Sequence, residues 1–207
     1  MYKKKSFFIT FEGIEGSGKS YQSKKLFNKI IKMRLPVIKT REPGGTKGAE
    51  KIRGLILNDY FNSNSRDKFD KYTDTLLYLA ARNEHIQNKI KPAIKKKKVI
   101  ICDRFIDSTI AYQVFGKGVK KKFVDSIHKH ILEDTKPDLT FILKVNISKA
   151  MKRLKMRKKM NRYDKFSKNF YARAQNAFIN IARGNKSRYF ILDNSKDSPE
   201  IEKKIFN

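Results

Sequence analysis

Cysteine occurs once, at Cys102, in a chain of 207 residues. No intrachain disulfide is possible, a domain of this size needs none, and a reducing, cytoplasmic setting is expected. Long apolar runs are missing as well. Stretches such as Leu76 to Ala81 fall far short of the roughly 20 residues that cross a bilayer, so no membrane span is expected. Near the start, Phe7, Phe8 and Ile9 follow Lys3 to Lys5, but Thr10 and Glu12 end the apolar run too early for an export signal. Acidic residues are scarce: 20 Asp and Glu stand against 49 Lys and Arg, a formal net charge of +29. That excess raises the question of a polyanionic partner. The lysines, however, fall in short scattered runs, Lys95 to Lys98 and Lys120 to Lys122, without the arginine and aromatic interleaving that stacks unpaired bases. A solvated surface is the better reading of most of this charge, and nucleic acid the weaker one.

What is present is a globular pattern. Hydrophobic residues make up 39% of the chain and charged residues 33%, which suits one α/β domain over residues 1–207. Apolar runs bounded by turn residues alternate with helical spacing, as in βα units joined into a parallel sheet. Five strands are predicted: Phe7 to Glu12, Val37 to Thr40, Val99 to Asp103, Leu139 to Val145 and Tyr189 to Asp193. Helices are predicted from about Gly18 to Met33, around Ile52, Leu55 and Ile56, and from Asp74 to Ile90 with Leu76, Leu79, Ala80 and Ile86 inward. Others cover Ile106 to Val114, Phe123 to Leu132, the surroundings of Ala150 and Leu154, Phe166 to Ile181, and Glu200 to Phe206. Asn62 to Arg66 reads as a polar loop. The basic stretch of about 155–165 has no apolar periodicity and reads as a short lid.

Gly13-Ile14-Glu15-Gly16-Ser17-Gly18-Lys19-Ser20 matches G-x-x-x-x-G-K-[ST] between a predicted strand and a predicted helix. Glycines there let the backbone wrap a phosphate, and successive N–H groups and the helix N-terminus donate to it. Lys19 neutralises the β and γ phosphates, and Ser20 can ligate Mg²⁺. A glycine-rich turn that binds nothing is the weaker reading, so these eight residues are candidates for ATP binding. Asp103 ends an apolar strand and can hold Mg²⁺ directly or through water, although a lone acid in this place can also cap the next helix. Arg104 follows it, and strand alternation is expected to send the two side chains apart, the arginine toward a second anion at the carboxyl ends of the strands. A guanine-specific enzyme would carry Asn-Lys-x-Asp, and Asn185-Lys186-Ser187-Arg188 lacks the acid. A motor ATPase would place a glutamate beside Asp103 to activate water, where this chain has Arg104. Transfer to a bound acceptor is favoured over hydrolysis.

Further blocks occur in order: Phe11-Glu12 leading into the phosphate loop, Thr40-Arg41-Glu42-Pro43-Gly44-Gly45-Thr46, Tyr78-Leu79-Ala80-Ala81-Arg82, Asp103-Arg104-Phe105-Ile106-Asp107-Ser108-Thr109 with Ala111-Tyr112-Gln113, and Lys136-Pro137-Asp138-Leu139-Thr140. Together they closely resemble the bacterial thymidylate kinase family, from the first predicted strand to the last. The resemblance implies a P-loop kinase fold, transfer of the γ-phosphoryl of ATP to thymidine 5′-monophosphate (dTMP) with Mg²⁺, and a homodimer built on the helices after Asp74 and Ser108. It implies dTMP-binding roles for Glu15, Glu42, Arg53, Tyr78, Arg82, Arg104, Thr109, Tyr112 and Gln113. Arg104 and Arg53 would hold the acceptor phosphate, Tyr78 would stack on thymine and Arg82 would bond its O4. Thr109 and Gln113 would contact the base, and Tyr112 would crowd the 2′ position. Family members with glycine at the Gly16 position draw a further cation from the lid, which makes Arg153, Arg157 and Arg162 candidates. Arg157 and Arg162 are preferred because they lie where periodicity fails. The expected catalytic set is therefore Lys19, Arg104, Glu15, Arg157 and Arg162, with Ser20 and Asp103 on the metal. Tyr78 stands where phenylalanine is more usual, and Asn161 where the lid often carries an acid.

Each residue also has a plainer reading. Tyr78 sits among Leu76, Leu77 and Leu79 and would pass for core. Arg53, Arg82 and the lid arginines would pass for surface charges, Gln113 for a surface amide, and Thr109 for a hydroxyl bonded to its own helix. Cys102 reads as an inert buried thiol. His85, His128 and His130 show no metal-ligand spacing and receive no role. Two other functions stay open: a related deoxynucleotide kinase, or a nucleoside kinase in which Glu15 would be the general base for the acceptor hydroxyl, and a nucleic-acid-binding P-loop ATPase that uses the positive charge.

Overall fold

Five runs rich in aromatic and β-branched residues form one parallel sheet: β1 (Phe7–Glu12), β2 (Val37–Arg41), β3 (Val99–Asp103), β4 (Leu139–Lys144) and β5 (Tyr189–Asp193). Their order is β2-β3-β1-β4-β5. The computed structural model of the chain describes residues 5–58, 69–157, 161–196 and 198–206, so the loop expected at Asn62 to Arg66 lies outside the described residues. Central β1 is buried from Phe8 to Glu12 because helices cover both faces of the sheet. Register decides which strand ends meet. Phe11 lies opposite Asp103 on β3, and Arg41 of β2 lies on the other side of Asp103. The loops that leave β1, β2 and β3 therefore emerge side by side at one edge.

Helix α1 (Lys19–Lys32) turns Leu26 and Ile30 inward, four residues apart. Helix α2 (Lys47–Leu57) is capped by the Thr46 hydroxyl, which accepts from Ala49 N at 3.2 Å. Helix α3 (Lys71–His85) starts earlier than the sequence predicts and ends earlier, giving way to a π-helical turn at Ile86–Ile90 and a short α4 (Lys91–Lys95). Pro92 cannot donate to the carbonyl four residues back, and the widened turn absorbs that mismatch. The inward face of α3 also differs from expectation. Leu79 and Ile86 are buried, but Leu76 and Ala80 face out, and the inward positions include Asp74, Thr75, Arg82 and His85.

The helix expected over Ile106 to Val114 is a short α5 (Ile106–Thr109) that opens into a π-helical segment, Ile110–Gly116. Helix α6 (Lys121–Leu132) buries Val124, His128 and Leu132. Helix α7 (Ile147–Lys155) leads into the lid. The described end of the lid is no loose flap: Arg162–Lys165 form a 3₁₀ turn, closed by reciprocal capping between Asn161 and Asp164, with Tyr163 and Asp164 buried. Helix α8 (Lys168–Arg183) packs Phe170, Ala174 and Phe178 into the core, while Phe166 precedes its Ser167 cap. Helix α9 (Glu200–Phe206) closes the chain against α1. Among the described residues no helix is long and apolar enough to cross a membrane.

At the middle of the sheet, Thr10 and Thr140 are fully buried and share a hydroxyl hydrogen bond of 2.7 Å. Removing one partner leaves the other unpaired, whereas removing both leaves two methyl groups that pack. Thr10→Val or Thr140→Val alone is expected to cost about 1–2 kcal/mol in urea unfolding, and the double substitution less than the sum of the two.

Candidate active site

The loop after β1 turns on glycines. Gly16 has φ 73°, and a Cβ there would lie 2.6 Å from the carbonyl oxygen of Ala150 on α7, so only glycine allows the loop and the lid helix to touch. Lys19, the first residue of α1, folds back over this loop and donates to Ile14 O at 2.7 Å. Burial, then the Arg104 charge, push its ammonium down to about 7. Ser20 Oγ donates to Asp103 Oδ2 at 2.5 Å. A hydroxyl and a carboxylate so close on one cleft wall are hard oxygen donors of the kind Mg²⁺ takes alongside substrate phosphates and water. No group of three or more His, Cys, Asp or Glu side chains among the described residues could hold a metal ion unaided.

Arg104 reaches the cleft by a different route from the one strand alternation predicts. β3 ends at Asp103, and Arg104 adopts φ 72°, turning out of the pleat. Its N–H donates to Phe11 O at 3.0 Å, and the next N–H, of Phe105, donates to Glu12 Oε1 at 2.7 Å. Ser108 Oγ donates to Glu12 Oε2 at 2.6 Å, so one buried carboxyl clamps the whole turn. Burial, then the neighbouring Asp107, raise the Glu12 pKa to about 8. From this turn the Arg104 guanidinium donates through Nη1 to Gly13 O (2.9 Å) and Ser108 Oγ (3.1 Å), and through Nη2 to Glu15 Oε1 (2.8 Å). The other Glu15 oxygen accepts from the Tyr112 hydroxyl, whose pKa burial raises well above the usual value. Nε–H and one Nη2–H of Arg104 stay uncommitted, a fork suited to an anion. Arg53 lines the same cleft and donates to Pro43 O at 2.7 Å.

The opposite wall is built on α3. Tyr78 and Arg82 lie one turn apart and both face the cleft. Tyr78 is half-buried, its ring edge-on to that of Tyr163 at 5.9 Å. Arg82 is far from a solvated charge: it is 2% exposed and bonded to Glu42, Thr109, His128 and the Phe105 carbonyl. Glu42 also accepts from His85 Nδ1 at 3.0 Å. Gln113, 1% exposed, donates to the Tyr163 hydroxyl at 3.3 Å. Burial, then Glu42 and Asp103, push the Cys102 thiol up, as an inert core thiol requires.

The lid arginines separate. Arg157 lines the cleft and donates to Asp164 Oδ1 at 2.8 Å. Arg162 pairs instead with Asp74 and does not line the cleft. Arg153, the less favoured of the three on sequence grounds, donates to Gly16 O at 2.6 Å and to Asn194 O at 3.2 Å, against the phosphate loop itself. Asp74 also accepts from Lys117 Nζ (2.6 Å) and Tyr163 OH (3.2 Å), tying the lid to α3.

A single cavity of about 230 Å³ thus collects Glu15, Lys19, Ser20, Glu42, Arg53, Tyr78, Arg82, Asp103, Arg104, Thr109, Tyr112, Gln113 and Arg157. Gly13, Ile14, Gly16, Ser17 and Gly18 form the loop at its edge, with the Ile14 side chain in the core. Sequence reasoning missed Glu12, Asp74, His85 and His128, which hold these groups in place. For His128 a signal existed: it interrupts an otherwise aliphatic stripe, Val124 and Leu132, at four-residue spacing.

A family model for thymidylate kinase matches residues 11–205. The chain is 40% identical over 204 residues to the thymidylate kinase of Wolbachia sp. subsp. Brugia malayi, covering 97% of this chain and 94% of that one. It is 37% identical over 196 residues to that of Mycoplasma capricolum, covering 94% and 90%. Its structure resembles the crystal structure of thymidylate kinase from Ehrlichia chaffeensis, with a TM-score of 0.75 and 33% identity over 98% of this chain and 97% of that one.

Because burial, then the Arg104 charge, bring the Lys19 ammonium down to about 7, a polyphosphate that restores its charge must draw a proton from solvent at higher pH. Binding of a nucleoside triphosphate, followed calorimetrically in buffers of different ionisation enthalpy, is expected to take up about one more proton at pH 8 than at pH 6. Lys19→Arg, whose charge does not titrate in this range, is expected to lose that difference.

Proposed function

The chain belongs to the thymidylate kinase family, and from that membership we propose that it transfers the γ-phosphoryl group of ATP to dTMP, giving the diphosphate by in-line displacement. One observation carries the reading: the phosphate-loop lysine Lys19 and Arg104 line one cleft together with Tyr78 and Arg82. An acceptor phosphate, with its second pKa near 6, is largely dianionic at neutral pH and needs no general base. The barrier is repulsion between two anions. Lys19 takes the donor side, and Arg104 and Arg53 take the acceptor side, so that positioning and charge compensation supply most of the catalysis. Ser20 and Asp103 would hold Mg²⁺, which when bound supplies charge neutralisation at the β and γ phosphates.

Glu15 orients Arg104 with one oxygen and Tyr112 with the other, and the tyrosine meets the sugar of the acceptor. Tyr78 offers its ring face to the base and Arg82 an N–H to its O4, with Thr109, Gln113 and Glu42 fixing that wall. In the lid, Arg157, which lines the cleft, is the cation that serves the transferred group; Arg153 of α7 braces the phosphate loop through Gly16 O, and Arg162 acts through Asp74 to hold the lid shut and water out. The whole chain acts as one catalytic domain in the cytoplasm. Two copies pair through α3 and the π segment, where Leu76 and Phe115 are 48% and 50% exposed.

Coupled measurement of ADP release tests the assignment. ATP turnover is expected to require a nucleoside monophosphate and to be fastest with dTMP; Lys19→Ala should lower kcat by about 100-fold or more, and Arg104→Ala should raise KM for dTMP as well. Equal ATP consumption with and without dTMP, or stimulation by DNA instead, overturns it.

A further inference from the structure

Helix α6 turns Val124, His128 and Leu132 inward, so a single imidazole sits in an aliphatic stripe. His128 is 8% exposed, and its Nε2 lies 2.7 Å from Nη1 of Arg82. A guanidinium has no acceptor, so Nε2 must be the accepting atom and the imidazole neutral, with its proton on Nδ1. Burial, then the charges of Arg82 and Lys121, push the His128 pKa down to about 3 and keep that form at working pH.

The donors of Arg82 can be counted. Nε–H goes to Glu42 at 2.8 Å, one Nη1–H to Thr109 Oγ1 at 2.8 Å, the other to His128, and one Nη2–H to Phe105 O at 2.9 Å. A guanidinium has five N–H groups, so one Nη2–H is left, on a side chain that walls the acceptor end of the cleft. Anchors from the loop after β2, from both ends of α5 and from α6 fix the plane of the group. A lone N–H of fixed direction donates to a carbonyl oxygen and is repelled by an amino group at the same place.

We infer that His128 is a positioning residue for base selection: by accepting from Nη1 it holds Arg82 so that its one free N–H meets the 4-carbonyl of a keto pyrimidine and discriminates against cytosine. This rests on the proposed acceptor. His128→Leu keeps the volume and removes the acceptor atom. It is expected to raise KM for dTMP about tenfold, leave kcat within about twofold and KM for ATP unchanged, and narrow the preference for dTMP over dCMP. His128→Gln, whose amide oxygen reaches the Nε2 position, should restore the wild-type KM. His128→Asn, whose oxygen falls at the Nδ1 position, should not. A leucine variant with wild-type KM and base preference overturns the inference, as does one in which kcat falls, KM for both dTMP and ATP rises, and glutamine gives no rescue. Should the leucine variant fail to fold, equal KM values for the glutamine and asparagine variants overturn it. A wild-type enzyme with no preference for dTMP over dCMP refutes the proposed acceptor instead.

Discussion

A buried guanidinium cannot give up its proton, so every N–H that leaves water must find an acceptor or wait for one. Two such groups, Arg82 and Arg104, organise this molecule. Arg82 commits four of its five N–H groups to the protein and Arg104 three, and both side chains line the cleft with the remainder. The sheet serves this arrangement by delivering the ends of β1, β2 and β3 to one edge in register, so that Glu15, Glu42 and Arg104 meet without long loops. Glu12 shows how far the constraint reaches. Its carboxyl is buried inside the central strand only because two donors from the Arg104 turn satisfy it.

The same economy links acceptor site and lid. Asp74, Tyr78 and Arg82 occupy successive turns of one face of α3, and the 3₁₀ turn of the lid docks on the first two. Lys117, held between Asp74 and Tyr163, brings the π segment to the same point. The wall that presents a ring and a donor to the base is thus also the surface on which the lid rests.

The parts legible in the sequence are those fixed by local geometry. The phosphate loop needs its glycines, its lysine and its hydroxyl in a fixed spacing, and four of the five strands are written as apolar runs while β2 is marked by Pro36 and a β-branched pair, so both emerge from pattern alone. The inward face of α3 is not legible, because apolar periodicity assumes that burial selects hydrocarbon, whereas this helix buries Asp74, Thr75, Arg82 and His85 in a paired network. Strand alternation points Arg104 to the right cleft for the wrong reason: pairing of Phe105 N–H with Glu12, contributed from far away in the chain, turns it out of the pleat. The π turns escape for a similar reason, since their residues keep helical spacing in sequence and reveal the widening only in three dimensions. Among the lid arginines, loss of periodicity points to Arg157 and Arg162, while Arg153, inside regular helix, lies against the phosphate loop.

The close approach at Gly16 has an evolutionary corollary. Its missing side chain lets α7 lie flush on the loop, and Arg153 crosses that seam to bond the Gly16 carbonyl. Any larger residue at position 16 would wedge the seam open and lift the root of the lid. A cation mounted on the loop and one carried in by α7 are therefore alternatives that exclude each other sterically, and a lineage passing from one to the other would have to change both elements together.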